Sequence, residues 1–579
     1  MKILRFKNWL FLFSLSLLFS CANEVTDQSS ASAELLPVTN DIRINQIGYY
    51  PTAIKRGVVV VSNEQPTDFQ VRNAAGEVAL SGKLSGPERW ELAGETVYVA
   101  DFSELTAAGN YHLEVPKFGR SYEFRIDPQV LRSAFHGSIK GLYYQRMSMP
   151  LEERHAGKWH RVMAHPDDRV AFHPSSGRTE GYLDSPGGWY DAGDYNKYIV
   201  NAAFPMGQFL LLEEQYPNSV ADNALNIPES GNGTSDYLDE LRYELDWMLT
   251  MQDTDGGLFH KLTTKNFEGM VMPDAATSPR FVVGKGTTAT LDFAAATAQA
   301  SRVFRSVDAA FADQLLTAAE RAYAWAVQHP AVAFKNPSDI STGEYGDDDF
   351  TDEWSWAATE LWVTTQKPEY RKRMQSIEPD YAFRPGESWT EYMRFLGYFT
   401  LLNHADLLPN AERESLRAGI ITSADVILAA TRSLPYHQPI DDFHWGSNSD
   451  VLNAAMILLQ AYRLTEQADY LNAARTSVDY IFGTNATGYS YLTGFGARPP
   501  MFIHHRQSAA DGIADPVPGL LSGGPNSRRQ DAKNGTVYPP DAAPMQSWVD
   551  QEPSYASNEI CLNWNAPLTY VLGVLEQIE

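Results

Sequence analysis

The sequence predicts a small all-β domain followed by a large all-α domain, and three observations carry that expectation. The chain has 579 residues, more than one hydrophobic core usually organises, so two domains with extensions is the natural plan. From about residue 41 to 127, short runs rich in Val, Tyr and Phe are separated by Gly, Asn and Pro. Beyond about 130 the apolar period becomes helical, and Ala-rich amphipathic stretches recur.

The β reading rests on "RGVVVVS", "FQVRN", "VYVADF", "GNYHLEV" and "SYEFRI", which together read as a β-sandwich. The helical reading rests on Leu238, Leu241, Leu245 and Met248 at 3-4-3 spacing. It rests equally on similar sets in "LDFAAATAQASRVF", "ADQLLTAAERAYAWAV", "SDVLNAAMILLQAYRL" and "YLNAARTSVDYIFG". Long loops rich in Gly, Pro, Asp and aromatics separate these helices, so the loops are expected to carry the site.

The first residues, "MKILRFKNWLFLFSLSLLFSCANE", place Lys2, Arg5 and Lys7 before an apolar run from Trp9 to Phe19. That is the pattern of a signal peptide over 1–21, too short for a stable membrane span. Leu18-Phe19-Ser20-Cys21 resembles the bacterial lipobox, in which the cysteine is acylated; an ordinary secretory signal is the alternative. Residues 22–40 are small and polar, as a flexible tether requires. The expected location is outside the cytoplasm, lipid-anchored to the bacterial envelope at its outer membrane, with membrane contact only through Cys21. Cys561 is the one other cysteine, so a lipidated Cys21 leaves no intramolecular disulfide.

The formal net charge is −26. It argues against nucleic acid, whose phosphates need a basic surface, and against a strongly anionic substrate. The 13 Trp, 29 Tyr and 27 Phe suit either a sugar-binding cleft or simply a large core.

Three segments carry chemistry. "GGWYDAGDYNKYIV" sets Asp191 and Asp194 three apart in a glycine-rich turn. Two such carboxylates can hold a water between them, bind a cation, or cap a helix N-terminus. "WVDQEPSYASNEICLNWNAPLTY" embeds Glu559 among amides and aromatics, where burial would keep an acid protonated. "SYLTGFGARPPMFIHHRQS" carries His504, His505 and Arg506 in a Gly/Pro loop suited to hydroxyl recognition, with no cysteine or carboxylate at zinc-ligand spacing nearby.

These residues resemble glycoside hydrolase family 9, the inverting β-1,4-glucanases, in its version with an N-terminal immunoglobulin-like domain. "IRINQIGYYPTAIKRGVVV" at 42–60 is similar to the opening of that domain, and "GGWYDAGDYNKY" to the family's Asp-Ala-Gly-Asp motif. His504 and Arg506 fit one family signature. Trp548, Asp550, Tyr555, Glu559, Asn565 and Ala566 fit a second, which departs only at Cys561. The resemblance implies an immunoglobulin-like domain over 41–127 and an (α/α)6 barrel over 128–579.

Residue by residue, the resemblance implies Asp194 as general base on water, Asp191 as the carboxylate that orients that water, and Glu559 as general acid. His504 and Arg506 would bind sugar hydroxyls, with Tyr555 beside them. His260 would be a subsite histidine and Trp445 a stacking platform. "TGEYGDDDFTDEW" resembles a segment that holds calcium, which makes Asp347, Asp352 and Glu353 candidate oxygen ligands, although a solvated acidic loop reads the same way. No cofactor is expected for the chemistry. Zinc does not carry over, because Met147 and Ala164 stand where the family's thiols would, leaving His165 alone.

The expected activity is endo-hydrolysis of β-1,4-glucosidic bonds in cellulose or related glucans. Exo-acting β-glucosidase or exo-glucosaminidase chemistry on the same scaffold is the nearest alternative, and a non-catalytic glycan-binding lipoprotein a more distant one. The β domain has no exposed aromatic strip and is expected to support the barrel rather than bind carbohydrate.

Overall fold

The computed structural model describes residues 36–384, 392–433 and 435–578. The signal peptide, Cys21 and most of the 22–40 tether fall outside them. No helix among the described residues is long and apolar enough to cross a membrane.

The first domain is a sandwich of two sheets. One orders its strands Ile42–Arg43, Arg56–Val61, Glu95–Asp101 and Ser85–Trp90. The other orders Gly48–Tyr49, Phe124–Ile126, Gly109–Val115, Asp68–Asn73 and Val78–Lys83, with Gly119–Arg120 beside Gly109–Val115. Inward-facing Val59, Phe69, Val71, Leu113 and Ile126 meet between them, and Tyr49 packs edge-on against Phe102 and Phe124 with ring centroids 5.4 Å apart. Each strand-forming run in the sequence becomes a strand. Val78–Lys83 and Ser85–Trp90 escape the pattern because nearly all their side chains face solvent, so no apolar alternation marks them.

The second domain is built on two rings of helices. Ile199–Gln215, Thr287–Phe304, Thr351–Thr365, Met393–Asn403, Ser447–Thr465 and Leu562–Ile578 form the inner ring. Arg132–Gln145, Asp236–Thr250, Ala309–Gln328, Pro368–Gln375, Asn410–Ser433 and Ala468–Ile481 lie outside. Burial explains the division. Thr287–Phe304 is buried on all sides from Thr287 to Ser301, whereas Ala309–Gln328 buries one stripe running through Phe311, Leu315, Ala319, Ala322 and Ala326. Leu238, Leu241, Leu245 and Met248 are all buried in Asp236–Thr250.

One element departs from the helical reading. A five-stranded sheet, ordered Tyr182–Leu183, Val170–Phe172, Arg280–Lys285, Phe259–Thr264 and Lys197–Tyr198, lies at the start of the inner helices. Lys197–Tyr198 runs straight into Ile199–Gln215. Phe259–Thr264 is buried at every position, which removes the alternation that reveals a strand.

The sandwich docks on the barrel through apolar side chains, Tyr50, Ala53 and Ala93 among them, and through polar contacts. Arg43 donates to both oxygens of Glu95 at 2.9 and 2.7 Å, to the Tyr436 hydroxyl at 2.6 Å and to the Asn485 carbonyl at 3.0 Å. Asn45 Nδ2 donates to Asp479 Oδ1 at 2.8 Å, and Tyr50 to Glu576 at 2.7 Å. Met545 donates its N–H to the Leu92 carbonyl at 2.9 Å and receives Trp90 Nε1 on its sulfur at 3.0 Å.

Candidate active site

Asp191 and Asp194 sit in the turn that feeds Lys197–Tyr198, and Glu559 sits just before Leu562–Ile578. Backbone pairing joins these distant segments. Ala192 forms an antiparallel bridge with Cys561, His504 a parallel bridge with Glu559, and Leu562 N–H donates to the Asp191 carbonyl at 3.0 Å. The three acids therefore line one cavity of about 730 Å³, together with His504, Arg506, Trp445 and Tyr555.

Each aspartate is held differently. Asp191 accepts from Asn201 Nδ2 on Oδ1 at 2.6 Å and from the Tyr345 hydroxyl on Oδ2 at 2.7 Å. Donors to Asp194 land on Oδ2: Asn196 Nδ2 at 2.6 Å, Asn196 N–H at 3.3 Å and the Tyr198 hydroxyl at 3.3 Å. Burial raises both carboxyls above the ordinary range. For Asp191 the charge of Asp194 adds to it, while for Asp194 the Arg506 guanidinium and the Asn196 and Tyr198 donors oppose it. Burial first, then the charge of Asp194, push Glu559 far upward. The cavity thus pairs a glutamic acid raised by burial with an aspartate held by donors, a combination suited to acid–base hydrolysis.

His504 Nδ1–H donates to the Glu552 carbonyl at 2.7 Å, which leaves Nε2 as an acceptor. Burial holds its pKa down to about 4, so the ring is neutral and able to take a hydrogen bond from a sugar hydroxyl. Arg506 binds the Gly193 carbonyl through Nη1 at 2.8 Å and the Glu268 carbonyl through Nε at 2.9 Å. His505 turns away to Ser508 and Gln145. Trp445 is 40% exposed and its ring lies 5.4 Å from Tyr555, which lies 6.0 Å from His504. An aromatic wall results.

His260 is placed differently from the subsite expectation. It is fully buried and does not line the cavity. Its ring stacks on Phe334 at 3.7 Å, and Nε2–H donates to the Glu344 carbonyl at 2.8 Å, so it supports the loop that enters the cavity. Neighbouring Lys261 ties the same loop down through Asn336, Thr342 and the Gly343 carbonyl at 2.6, 3.2 and 2.6 Å.

The candidate calcium ligands do not form a set. Among the described residues no group of three or more His, Cys, Asp or Glu side chains is arranged to hold a metal ion. Asp347 is half-exposed and accepts from Asp349 N–H at 2.9 Å. Asp352 and Glu353 open the helix Thr351–Thr365. The charges of Asp352 and Asp347 act on Asp292 of Thr287–Phe304, whose two carboxylate oxygens are buried without a hydrogen-bond partner, and Asp352 and Asp292 act on Glu353. Burial and the neighbouring acids raise Asp292 and Glu353 well above the ordinary range. At the region considered for zinc, Met147 packs with Tyr190, Tyr195 and Ala276, and both His165 nitrogens are engaged, with the Tyr190 hydroxyl at 2.8 Å and the Ala276 carbonyl at 3.0 Å.

Several cavity residues were not singled out in the sequence: Tyr198, Tyr345, Phe267, Glu344, Asn534 and Asn563. Tyr198 and Asn196 stand inside the quoted motif, so proximity to Asp194 was an available signal. Tyr345 and Phe267 come from separate loops whose approach only the fold reveals. Cys561 is buried beside Asp191, accepting from Asn201 Nδ2 at 3.1 Å.

Comparison with known proteins gives the family and the domain organisation. Residues 132–572 match the model of glycosyl hydrolase family 9, and residues 38–120 match the cellulase N-terminal ig-like domain. The xyloglucan-specific endo-β-1,4-glucanase BoGH9A of Bacteroides ovatus is 41% identical over 586 residues, covering 97% of this chain and 98% of that one. Endoglucanase D of Acetivibrio thermocellus is 36% identical, covering 92% and 83%. A solved Bacteroides ovatus GH9 structure superposes with a TM-score of 0.85 at 40% identity, covering 93% and 99%.

Proposed function

The chain belongs to glycosyl hydrolase family 9, and on that premise we propose how its residues share the work of an inverting endo-β-1,4-glucanase. The enzyme hydrolyses β-1,4-glucans and needs no cofactor for the chemistry. Asp194 takes a proton from water, Asp191 orients that water, and Glu559 protonates the departing glycosidic oxygen. One observation carries the assignment: the two aspartates and the glutamic acid line a single cavity, joined by the Ala192–Cys561 and His504–Glu559 bridges.

His504 and Arg506 bind hydroxyls of the sugar at the cleaved bond. Trp445 and Tyr555 offer one stacking wall. Phe267, 47% exposed and 5.6 Å from the Arg506 guanidinium, offers another beyond Arg506. The 41% identity to a xyloglucan-specific enzyme over nearly the whole chain favours a branched β-1,4-glucan as the preferred substrate. Hydrolysis of xyloglucan, carboxymethylcellulose and mixed-linkage glucan, with the anomer of fresh product followed by NMR, tests the reading. Inverted product with xyloglucan preferred is the expected result; retained configuration would overturn the mechanism.

Calcium at Asp347, Asp352 and Glu353 rests on the sequence resemblance alone, since among the described residues these acids form no ligand set. Unfolding at a higher temperature in calcium than in EDTA supports it, and identical curves refute it. Lipid anchoring at Cys21 rests on the sequence. Replacing Cys21 by Ala should move the protein from the membrane to the soluble fraction.

A further inference from the structure

We propose that Asn196 is a positioning residue that aims the Asp194 carboxylate at the attacking water and couples it to Asp191. The inference rests on reading Asp194 as the base.

Asn196 is 2% exposed and touches both aspartates. Its Nδ2 donates to Asp194 Oδ2 at 2.6 Å and its backbone N–H to the same oxygen at 3.3 Å. Its carbonyl accepts the Asp191 N–H at 3.1 Å. The amide has no freedom to turn over. Its Oδ1 accepts the Thr264 N–H at 2.9 Å and lies 3.3 Å from the Thr264 hydroxyl, so the NH2 end must point at Asp194. Thr264 ends the buried strand Phe259–Thr264, which pairs with Lys197–Tyr198. The sheet that periodicity did not reveal is thereby the reference against which the base is aligned. With the donors gathered on Oδ2, Oδ1 remains for water.

The groups facing Asp194 come from every neighbouring element. Asp191 and Tyr198 belong to its own segment, Glu559 to the C-terminal loop, and Arg506 to the start of Arg506–Ala510. Lys261 comes from the rim sheet, and Tyr345 from the loop before Thr351–Thr365. Of these, Arg506 and Lys261 favour an ionised Asp194, and Asp191 and Glu559 oppose it. Asn196 adds a side-chain and a backbone donor to the favourable side; a substitution removes only the Nδ2 donor, and its loss shifts the base toward its protonated form.

Kinetics of Asn196→Ala and Asn196→Asp on a soluble β-1,4-glucan across pH test the proposal. Alanine removes the donor. Aspartate keeps the shape but replaces donation by repulsion. The expected result is a kcat loss on the order of 10- to 100-fold for Asn196→Ala, KM within about twofold, and an acidic limb displaced to higher pH, with Asn196→Asp worse at neutral pH. Asn196→Ala with wild-type kcat and acidic limb, or Asn196→Asp equal to wild type, would overturn it. If Asn196→Asp does not fold, Asn196→Ser keeps a smaller donor and should fall between wild type and alanine; falling below alanine counts against the idea. Wild-type enzyme that cleaves no β-1,4-glucan, or retains configuration, would instead sink the reading of Asp194 as base.

Discussion

Gly193 meets Glu559 so closely that a Cβ on the glycine would stand 3.2 Å from Glu559 Oε1 and 2.2 Å from the His504 carbonyl oxygen. No side chain fits there. The glycine between the two aspartates is a spacer of zero width, bringing the turn against the opposite loop while its N–H serves the Glu559 carboxylate. Gly193→Ala should destabilise the fold by about 1–3 kcal/mol through overpacking and lower kcat more than KM. A wild-type melting temperature together with wild-type kcat would refute the close approach.

The pH profile should have two limbs with assigned owners. Glu559 acts when protonated, and burial with the Asp194 charge raises it above the ordinary carboxyl range, so activity falls as pH rises through that elevated value. Asp194 acts when ionised, so activity falls as pH drops. Glu559→Gln should lose at least about 100-fold on glucan and abolish the alkaline limb. It should lose far less on an aryl glycoside, whose leaving group needs no proton. Equal losses on both substrates would reassign the acid.

Stability should also depend on pH at the domain junction. Asp479, buried and bonded to Asn45, has its carboxyl raised to about 7. An acid raised on folding favours the folded state most below its unfolded pKa, and that contribution fades as pH climbs toward the folded value. Asp479→Asn should therefore melt higher than wild type at pH 7.5 and about equal to it at pH 4.5. Parallel melting curves at both pH values would show that Asp479 does not titrate between them.

Phe267→Ala should raise KM for long oligosaccharides about tenfold, as expected for losing one aromatic stacking partner worth about 1.4 kcal/mol. It should leave short aryl glycosides little changed and shift the bond cleaved in end-labelled chains. An unaltered cleavage pattern would remove Phe267 from the sugar path.

Much of this arrangement was legible before folding, and the reasons are local. Asp191, Asp194, Glu559, His504 and Arg506 stand in contiguous motifs, so their neighbours in sequence supply the context. His260 misled because its motif position says nothing about which way the ring turns, and the ring turned inward onto Phe334. Asp292 escaped because nothing in a helix of alanines marks one aspartate as the partner of a loop some sixty residues on. The rim sheet escaped because strands of two residues, or strands buried on both faces, leave no period to read.

The Ala192–Cys561 bridge has a bearing on how the protein matures. Its two halves are made far apart in time, the first early in translation and the second only after the loop preceding Leu562–Ile578 emerges. A nascent or prematurely stopped chain would carry its aspartates with no glutamic acid opposite them. Hydrolytic power would then arise only once that C-terminal segment is in place opposite the aspartates.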